Sequence, residues 1–107
     1  MLYDVRTYVC RPGTIKAHLT LYEEHGLDVQ KRHLGDPVLY LQTETGNVNS
    51  YLHVWAYSDA QDRAQRRAAL QADPQWAAYQ KRSAEAGYLL SQNNQLMTPV
   101  SFFGPKP

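Results

Sequence analysis

Several features that would assign a chain to a broad class at once are scarce here. The 107 residues include a single cysteine, Cys10, so neither an internal disulfide nor a cysteine-cluster metal site can form. Lysine and arginine number 11 against 10 aspartate and glutamate residues, and no basic block predicts nucleic-acid binding. No apolar run approaches the roughly 20 residues that a membrane-spanning helix needs.

The N-terminal sequence and the length narrow the choice further. Asp4 and Arg6 stand where a signal peptide requires an apolar stretch, so we expect a cytoplasmic protein. A chain of this length suits one domain, and neither a linker nor an internal repeat divides it. The prediction is a single domain over residues 1–107.

Residues 51–57 alternate strictly, which predicts a β-strand with two different faces. Leu52, Val54 and Ala56 form an apolar face. The other face carries two phenols, an imidazole and an indole, from Tyr51, His53, Trp55 and Tyr57. Large aromatic groups are poor solvent-facing residues, so both faces need a cover. In so small a chain, we expect the second cover to come from another copy, in a homodimer or a larger oligomer.

The N-terminal third of the chain predicts a strand followed by a helical segment. Residues 2–10 alternate and are rich in valine, tyrosine and threonine, which is typical of a strand. Thr14 caps a predicted helix that runs to residue 34. Gly26 lies inside the helical pattern and is expected to break or bend it.

The central and final strands are predicted from turn residues and alternation. Residues 38–44 and 49–57 form a hairpin, because Thr-Gly-Asn at 45–47 supplies turn chemistry. A last strand is predicted between residues 95 and 103.

Two consecutive helices are predicted after the hairpin. The first, over residues 59–72, is expected to turn one set of residues to the core: Ala60, Ala64, Ala68 and Leu70. A second set is expected to reach outward or to a partner: Arg63, Arg66 and Arg67. Asp73 then caps the second helix with Pro74 at its first position, and Trp76 and Tyr79 share its buried stripe.

The predicted order is strand, helix, hairpin, helix pair, strand. This is the ferredoxin-like βαββαβ arrangement with an extra helix, an α+β fold with one antiparallel sheet. Because the helices cover one face of such a sheet, the opposite face stays bare in a monomer.

Several short motifs occur together along nearly the whole chain. They are Arg6-Thr7-Tyr8, Arg11-Pro12-Gly13, Thr43-Glu44-Thr45-Gly46, His53-Val54-Trp55, Arg67-Ala68-Ala69-Leu70 and Asp73-Pro74 with Trp76 and Tyr79. In combination they resemble the NIPSNAP family. Leu39 and Leu41 stand where the family more often has a glycine and a tryptophan, which predicts a different cavity shape beside the second strand.

The resemblance implies a dimeric α+β barrel, in which two ferredoxin-like sheets pack face to face. It implies little about chemistry, since many bacterial members have no assigned activity. Relatives in the wider barrel superfamily include cofactor-free monooxygenases, haem-degrading enzymes and isomerases, but a shared fold is weak support for a shared function.

His53 is the first catalytic candidate, because an imidazole with a pKa near roughly 6.5 suits proton transfer at neutral pH. On the same face, Trp55 is placed to stack on a planar ligand, and Tyr51 and Tyr57 to donate hydrogen bonds. The alternative is a histidine that is hydrogen-bonded within a subunit interface.

Arg6 is the second catalytic candidate, and Tyr8 on the same strand face joins the ligand-binding set. A buried unpaired arginine is costly, so Arg6 is expected to pair with a ligand carboxylate or with a carboxylate of the protein such as Asp4. Arg63 and Arg67 are neighbours on one helix face. They either clamp an anionic group or lie solvated beside acidic residues.

Three histidines of the helical segment, His18, His25 and His33, suggest a metal site at first sight. His18 and His25 are displaced by about 10.5 Å along a straight helix, which is too far to share an ion with bonds of about 2 Å. We therefore predict no metal site and no cofactor; haem held through a histidine is a third hypothesis.

Two main functional hypotheses remain. The first is a NIPSNAP-like small-molecule-binding or interaction protein without catalysis. The second is a cofactor-independent enzyme, of monooxygenase or isomerase type, acting on an aromatic or enolisable small molecule with His53 as base and Arg6, Tyr51 and Tyr57 as polarising groups. In both, the polar-aromatic face lines a cavity, in the barrel or under the helices, for a small aromatic ligand.

Overall fold

Eight elements follow one another in the computed structural model, which describes residues 1–104. They are β1 (Leu2–Cys10), α1 (Ile15–His25), α2 (Leu27–Leu34), β2 (Leu39–Gln42), β3 (Ser50–Tyr57), α3 (Ala60–Ala72), α4 (Pro74–Ala86) and β4 (Leu89–Met97). The predicted ferredoxin-like α+β fold is confirmed. No helix among these residues is both long and apolar enough to cross a membrane.

The strands form one antiparallel sheet in the order β2-β3-β1-β4. Across the β1–β3 pair, Arg6 lies opposite His53 and Tyr8 lies opposite Tyr51. Tyr40 of β2 lies opposite His53 from the other side. Directly opposed residues of antiparallel strands project to the same face. The register therefore gathers these five side chains on one face of the sheet.

The helices cover this polar-aromatic face. Trp55 is fully buried, Tyr57 is 1% exposed and His53 is 3% exposed. Trp55 and Tyr57 belong to the apolar core. The buried helical members of this core are Tyr22, Val29, Leu34, Leu70, Trp76 and Tyr79. The predicted need for a second cover therefore falls on the opposite, aliphatic face of the sheet.

That outer face carries Val5, Leu52 and Val54 at its centre. The chain is 18 Å thick in its shortest dimension, which leaves room for one sheet and one helical layer. Leu39 and Leu41 lie opposite Val54 and Leu52 on this outer face and are 46% and 54% exposed. They point away from the space beneath the helices, so their departure from the family pattern affects the outer face of the sheet.

The predicted first helix is broken at Gly26, as its position suggested. The Gly26 N–H donates to the Tyr22 carbonyl at 2.7 Å and ends α1, and the Gly26 carbonyl accepts from the Gln30 N–H at 3.0 Å in α2. A Cβ at this position would lie 3.0 Å from ring atoms of both Tyr22 and Tyr79. Glycine thus lets α4 approach the joint between α1 and α2 closely.

Asp73 joins the ends of α2, α3 and α4. Its carboxylate accepts the Gln75 backbone N–H at 2.9 Å, which confirms the predicted cap with Pro74 at the start of α4. Arg32 and His33 donate to its other oxygen at 2.9 and 2.8 Å. These hydrogen bonds, first that of His33, lower the pKa of Asp73 to about 2.

Helix α3 presents a different side to the sheet from the one predicted. The three alanines expected in the core are exposed, whereas Leu70 is 1% exposed and Arg63 and Arg67 are half-buried. Leu70 is the one large apolar residue of this helix, and a period of 3.6 residues places positions 63 and 67 on its side. Arg66 alone points outward as predicted and pairs with Asp62 at 2.9 Å.

The last strand was predicted too late in the chain. β4 spans Leu89–Met97 and not 95–103, and it begins directly after the helix stop at Gly87, which is left-handed with φ 66°. Its middle residues are polar and exposed. They are held by main-chain pairing with β1 at the sheet edge, so the apolar alternation that marks a half-buried strand is missing.

We expect Leu70→Ala to lower the free energy of unfolding by about 2–5 kcal/mol, because it removes a buried side chain from the core. Ala68→Lys, on the exposed side of the same helix, should change it by less than about 0.5 kcal/mol. Urea unfolding of both variants tests the orientation of α3. Equal destabilisation by the two substitutions would contradict it.

Candidate functional site

A cavity of about 480 Å³ lies between the polar-aromatic face of the sheet and the helices. Its volume falls within the range of roughly 300–1,000 Å³ that is typical of small-molecule sites. The sheet contributes Arg6, Tyr8, Tyr40, Tyr51 and His53, and the helices contribute chiefly Tyr22, Gln30, Arg67, Leu70, Trp76 and Tyr79. The remaining lining residues belong to α3, to α4, to β4 and to the turn between α4 and β4: Gln71, Gln80, Ser83, Ala84, Gly87, Leu89 and Gln92.

Four of the six predicted site residues line this cavity: Arg6, Tyr8, Tyr51 and His53. The other two, Trp55 and Tyr57, lie in the apolar core and are not among the lining residues. Their strand alternates as predicted, but the helices close over its C-terminal half. Trp55 therefore lies beside the site and contacts it through the hydrogen bond to His53.

Aromatic rings on three adjacent strands form a parallel array. The Tyr8 ring lies 5.1 Å from that of Tyr51 and 5.0 Å from that of His53, at angles of 9° and 17°. The Tyr40 ring lies 4.7 Å from that of His53, at 8°. Offset stacking of this kind stabilises aromatic pairs beyond the area they bury. The array fixes the floor of the cavity without help from a ligand.

His53 is held in one tautomer by Trp55. The Trp55 indole N–H donates to His53 Nδ1 at 2.5 Å, and because this nitrogen accepts, the imidazole proton lies on Nε2. Burial, reinforced by the charge of Arg6, lowers the pKa of His53 to about 3. His53 is thus a neutral hydrogen-bond donor at neutral pH and not a ready base.

The low pKa of His53 also links folding to pH. As the pH falls below 6.5, the ordinary pKa of histidine, His53 is protonated in the unfolded chain but stays neutral in the folded chain. His53 therefore contributes stability above that pH, which is lost as the pH falls toward the folded-state pKa of about 3.

A buried carboxylate lies beneath the cavity. Asp4 is fully buried, and one of its oxygens accepts from Arg6 at 3.2 Å and from Arg63 at 3.1 Å. Its other oxygen accepts from the Asn94 amide at 3.0 Å. Burial alone would raise the pKa of Asp4, but these partners outweigh it and lower the pKa. Arg6 is therefore paired within the protein, and its Nε also donates to the Tyr8 hydroxyl at 3.1 Å.

The phenols of Tyr40, Tyr51 and Tyr79 are neutral near neutral pH. Burial raises the pKa of Tyr40 and Tyr51 above its ordinary value and that of Tyr79 to about 12. The Tyr51 hydroxyl shares a hydrogen bond of 2.6 Å with Nε2 of His18 on α1, a histidine whose pKa burial lowers. Neither phenols nor imidazoles here are poised to exchange protons near neutral pH.

Several lining residues were not predicted from the sequence. Tyr40 alternates with apolar Leu39 and Leu41 on the predicted second strand, and this pattern was the available signal for it. Trp76 and Tyr79 were assigned to the core, where they do pack, but they also face the cavity. Nothing local distinguishes Gln30, a 6%-exposed glutamine whose side-chain oxygen accepts from Tyr22. Its role depends on tertiary packing.

The histidines of the helical segment have separate partners. His18 bonds Tyr51, His33 bonds Asp73, and His25 lies 3.8 Å from Glu24. Within residues 1–104, no group of three or more histidine, cysteine, aspartate or glutamate side chains is arranged to hold a metal ion.

A four-stranded antiparallel sheet with helices on one face defines a ferredoxin-like α+β protein. The model of the NIPSNAP family matches residues 3–103, and the chain belongs to this family. Among curated proteins, no sequence matches the chain.

Solved structures agree with this assignment. A NIPSNAP family protein of unknown function from Agrobacterium tumefaciens is 39% identical, with a TM-score of 0.88 over 96% of this chain and 91% of that one. An uncharacterised NIPSNAP domain protein from Burkholderia xenovorans is 31% identical, with a TM-score of 0.90 over 98% and 100% of the two chains. An antibiotic biosynthesis monooxygenase, at 17% identity and a TM-score of 0.63 over 94% and 99%, shares the fold alone.

We expect nitrogen NMR to find His53 neutral, with its proton on Nε2, as the pH is lowered from neutrality to about 4, because its pKa is about 3. Trp55→Phe removes the indole donor and should release the preference for this tautomer. A midpoint near the ordinary histidine value, or a proton on Nδ1 in the wild type, would contradict the assignment.

Proposed function

We propose that this NIPSNAP protein is a homodimer that binds a small aromatic molecule in the cavity between its sheet and its helices. The observation that carries the proposal is the cavity of about 480 Å³, which is lined by aromatic side chains and a few inward polar groups. Binding sites for small molecules combine these two features. A floor of pre-stacked rings offers a flat ligand aromatic contacts that need no rearrangement.

Binding is favoured over acid–base catalysis by the protonation of the site. A general base works best when its pKa lies near the working pH, and that of His53 lies at about 3. Its Nδ1 lone pair is also engaged by Trp55. In this proposal His53 and Tyr51 are hydrogen-bonding groups, and Arg6 is a cation anchored by Asp4 at the cavity floor.

The homodimer is supported by the outer face of the sheet. Leu39, Leu41 and Met97 on this face are 46%, 54% and 50% exposed, beside the half-buried Leu52. Contiguous exposed apolar surface is typical of protein interfaces. Packing two such faces together gives the barrel after which the superfamily is named.

The buried Cys10 thiol, whose pKa burial raises, suits a cytoplasmic location because it needs no oxidised partner.

Ligand binding can be tested with naphthamide, a neutral flat probe, by isothermal titration calorimetry. We expect the wild type to bind it and Ala84→Trp to lose binding, because an indole at this lining position fills the cavity. Ala78→Trp, the same change on an exposed part of α4 that does not line the cavity, is the matched control. Binding that survives Ala84→Trp would exclude the cavity as the site.

The homodimer can be tested with Leu52→Lys. Burying an unpaired ammonium in the interface should cost about 3 kcal/mol or more per subunit, so sedimentation should show a shift to monomer. Ala78→Lys, on an exposed helix surface, should leave the assembly unchanged. A wild type that is monomeric at micromolar concentration would contradict the proposal.

A further inference from the structure

We infer that the molecule bound in this cavity is an aromatic acid, whose carboxylate pairs with Arg67 of α3 beside Arg6 of β1. The inference rests on the proposed function, since it assigns a charge to the same ligand. It is carried by the charge balance of the cavity lining, by the lack of an ionic partner for Arg67 within residues 1–104 and by the donors that line the same cavity.

The charge of the lining has one sign. Arg6 and Arg67 are the charged residues that line the cavity within the described chain, and no aspartate or glutamate joins them. The nearby carboxylate of Asp4 is fully buried, and both of its oxygens are already engaged, by Arg6, Arg63 and Asn94. The guanidinium groups of Arg6, Arg63 and Arg67 are therefore balanced by the single carboxylate of Asp4, which leaves an excess of positive charge around the cavity.

Arg67 is the cation without an ionic partner. Arg6 and Arg63 both pair with Asp4, and Arg66 pairs with Asp62, whereas Arg67 makes no ion pair within residues 1–104. It lies close enough to Tyr57 to oppose the rise in the pKa of this phenol that burial causes, yet among residues 1–104 the Tyr57 hydroxyl has no hydrogen-bond partner at bonding distance. A half-buried guanidinium gains most from a carboxylate that meets it with two oxygens.

The neutral groups of the lining are rich in donors. His53 offers Nε2–H because its other nitrogen accepts from Trp55. Trp76 is 8% exposed, and its indole N–H, which can only donate, has no hydrogen-bond partner within residues 1–104. Gln30 accepts from Tyr22 through its oxygen, which leaves its amide nitrogen to donate. A ligand that presents acceptor oxygens satisfies such a site.

A neutral aromatic ligand would serve the site less well. It would reduce the hydration of Arg67 and supply no opposite charge, and burying an unpaired cation is costly. A carboxylate offers about four acceptor positions and no donor, which matches the guanidinium and imidazole N–H groups of the lining. The aromatic part of the ligand follows from the tyrosine and tryptophan rings of the lining.

The test compares naphthoate, which is ionised at neutral pH, with naphthamide, its neutral counterpart, by isothermal titration calorimetry. We expect the wild type to bind naphthoate about tenfold more tightly or better, the effect of one charge-assisted hydrogen bond. Arg67→Gln should weaken naphthoate binding by a similar factor and leave naphthamide binding within about twofold. Added salt should reduce the ratio of naphthoate affinity to naphthamide affinity in the wild type, since ions screen the charge of the half-buried Arg67.

Arg66→Gln is the matched control, because it removes a neighbouring arginine that does not line the cavity. It should leave both affinities unchanged. Retained naphthamide binding by Arg67→Gln shows that this variant is folded. If the wild type binds both probes equally, or if Arg67→Gln weakens the binding of both probes equally, the inference is wrong and the proposed function still stands. If neither probe binds the wild type, the proposed function fails and the inference fails with it.

Discussion

The arrangement of the molecule depends on one buried carboxylate. Asp4 is fully buried between the sheet and the helices, where an isolated negative charge would cost several kcal/mol or more. Arg6 of β1, Arg63 of α3 and Asn94 of β4 together satisfy it. One side chain thus fixes the position of a helix and of an edge strand relative to the central strand.

The orientation of α3 follows from this constraint, and the cavity follows from the orientation. Because Arg63 must reach Asp4, the same helix face carries Arg67 over the sheet one turn later. A long cationic side chain cannot pack as an aliphatic one would. The layer between sheet and helices therefore stays partly polar and open above His53, while the part around Trp55 and Tyr57 closes into an apolar core.

The sequence predicted what local alternation controls and missed what register and tertiary pairing control. Residues 51–57 identified the polar-aromatic face, but one strand cannot say which of its faces the helices cover. β4 was misplaced because its ladder with β1 uses main-chain groups and leaves no apolar pattern. Arg63 and Arg67 were predicted to reach outward or to a partner, and the inward position of Arg63 was missed because the carboxylate that it pairs with lies 59 residues away along the chain.

The same burial that builds the site also decides what chemistry it can perform. Burial of His53 and the hydrogen bond from the Trp55 indole to its Nδ1 leave a neutral imidazole, which donates a hydrogen bond through Nε2–H and does not take up a proton near neutral pH. Burial likewise keeps the Tyr51 phenol protonated. Because the one carboxylate nearby is fully engaged, the cavity holds donors and cations in excess of acceptors. An imbalance of this kind suits the binding of an acceptor-rich molecule between the sheet and the helices.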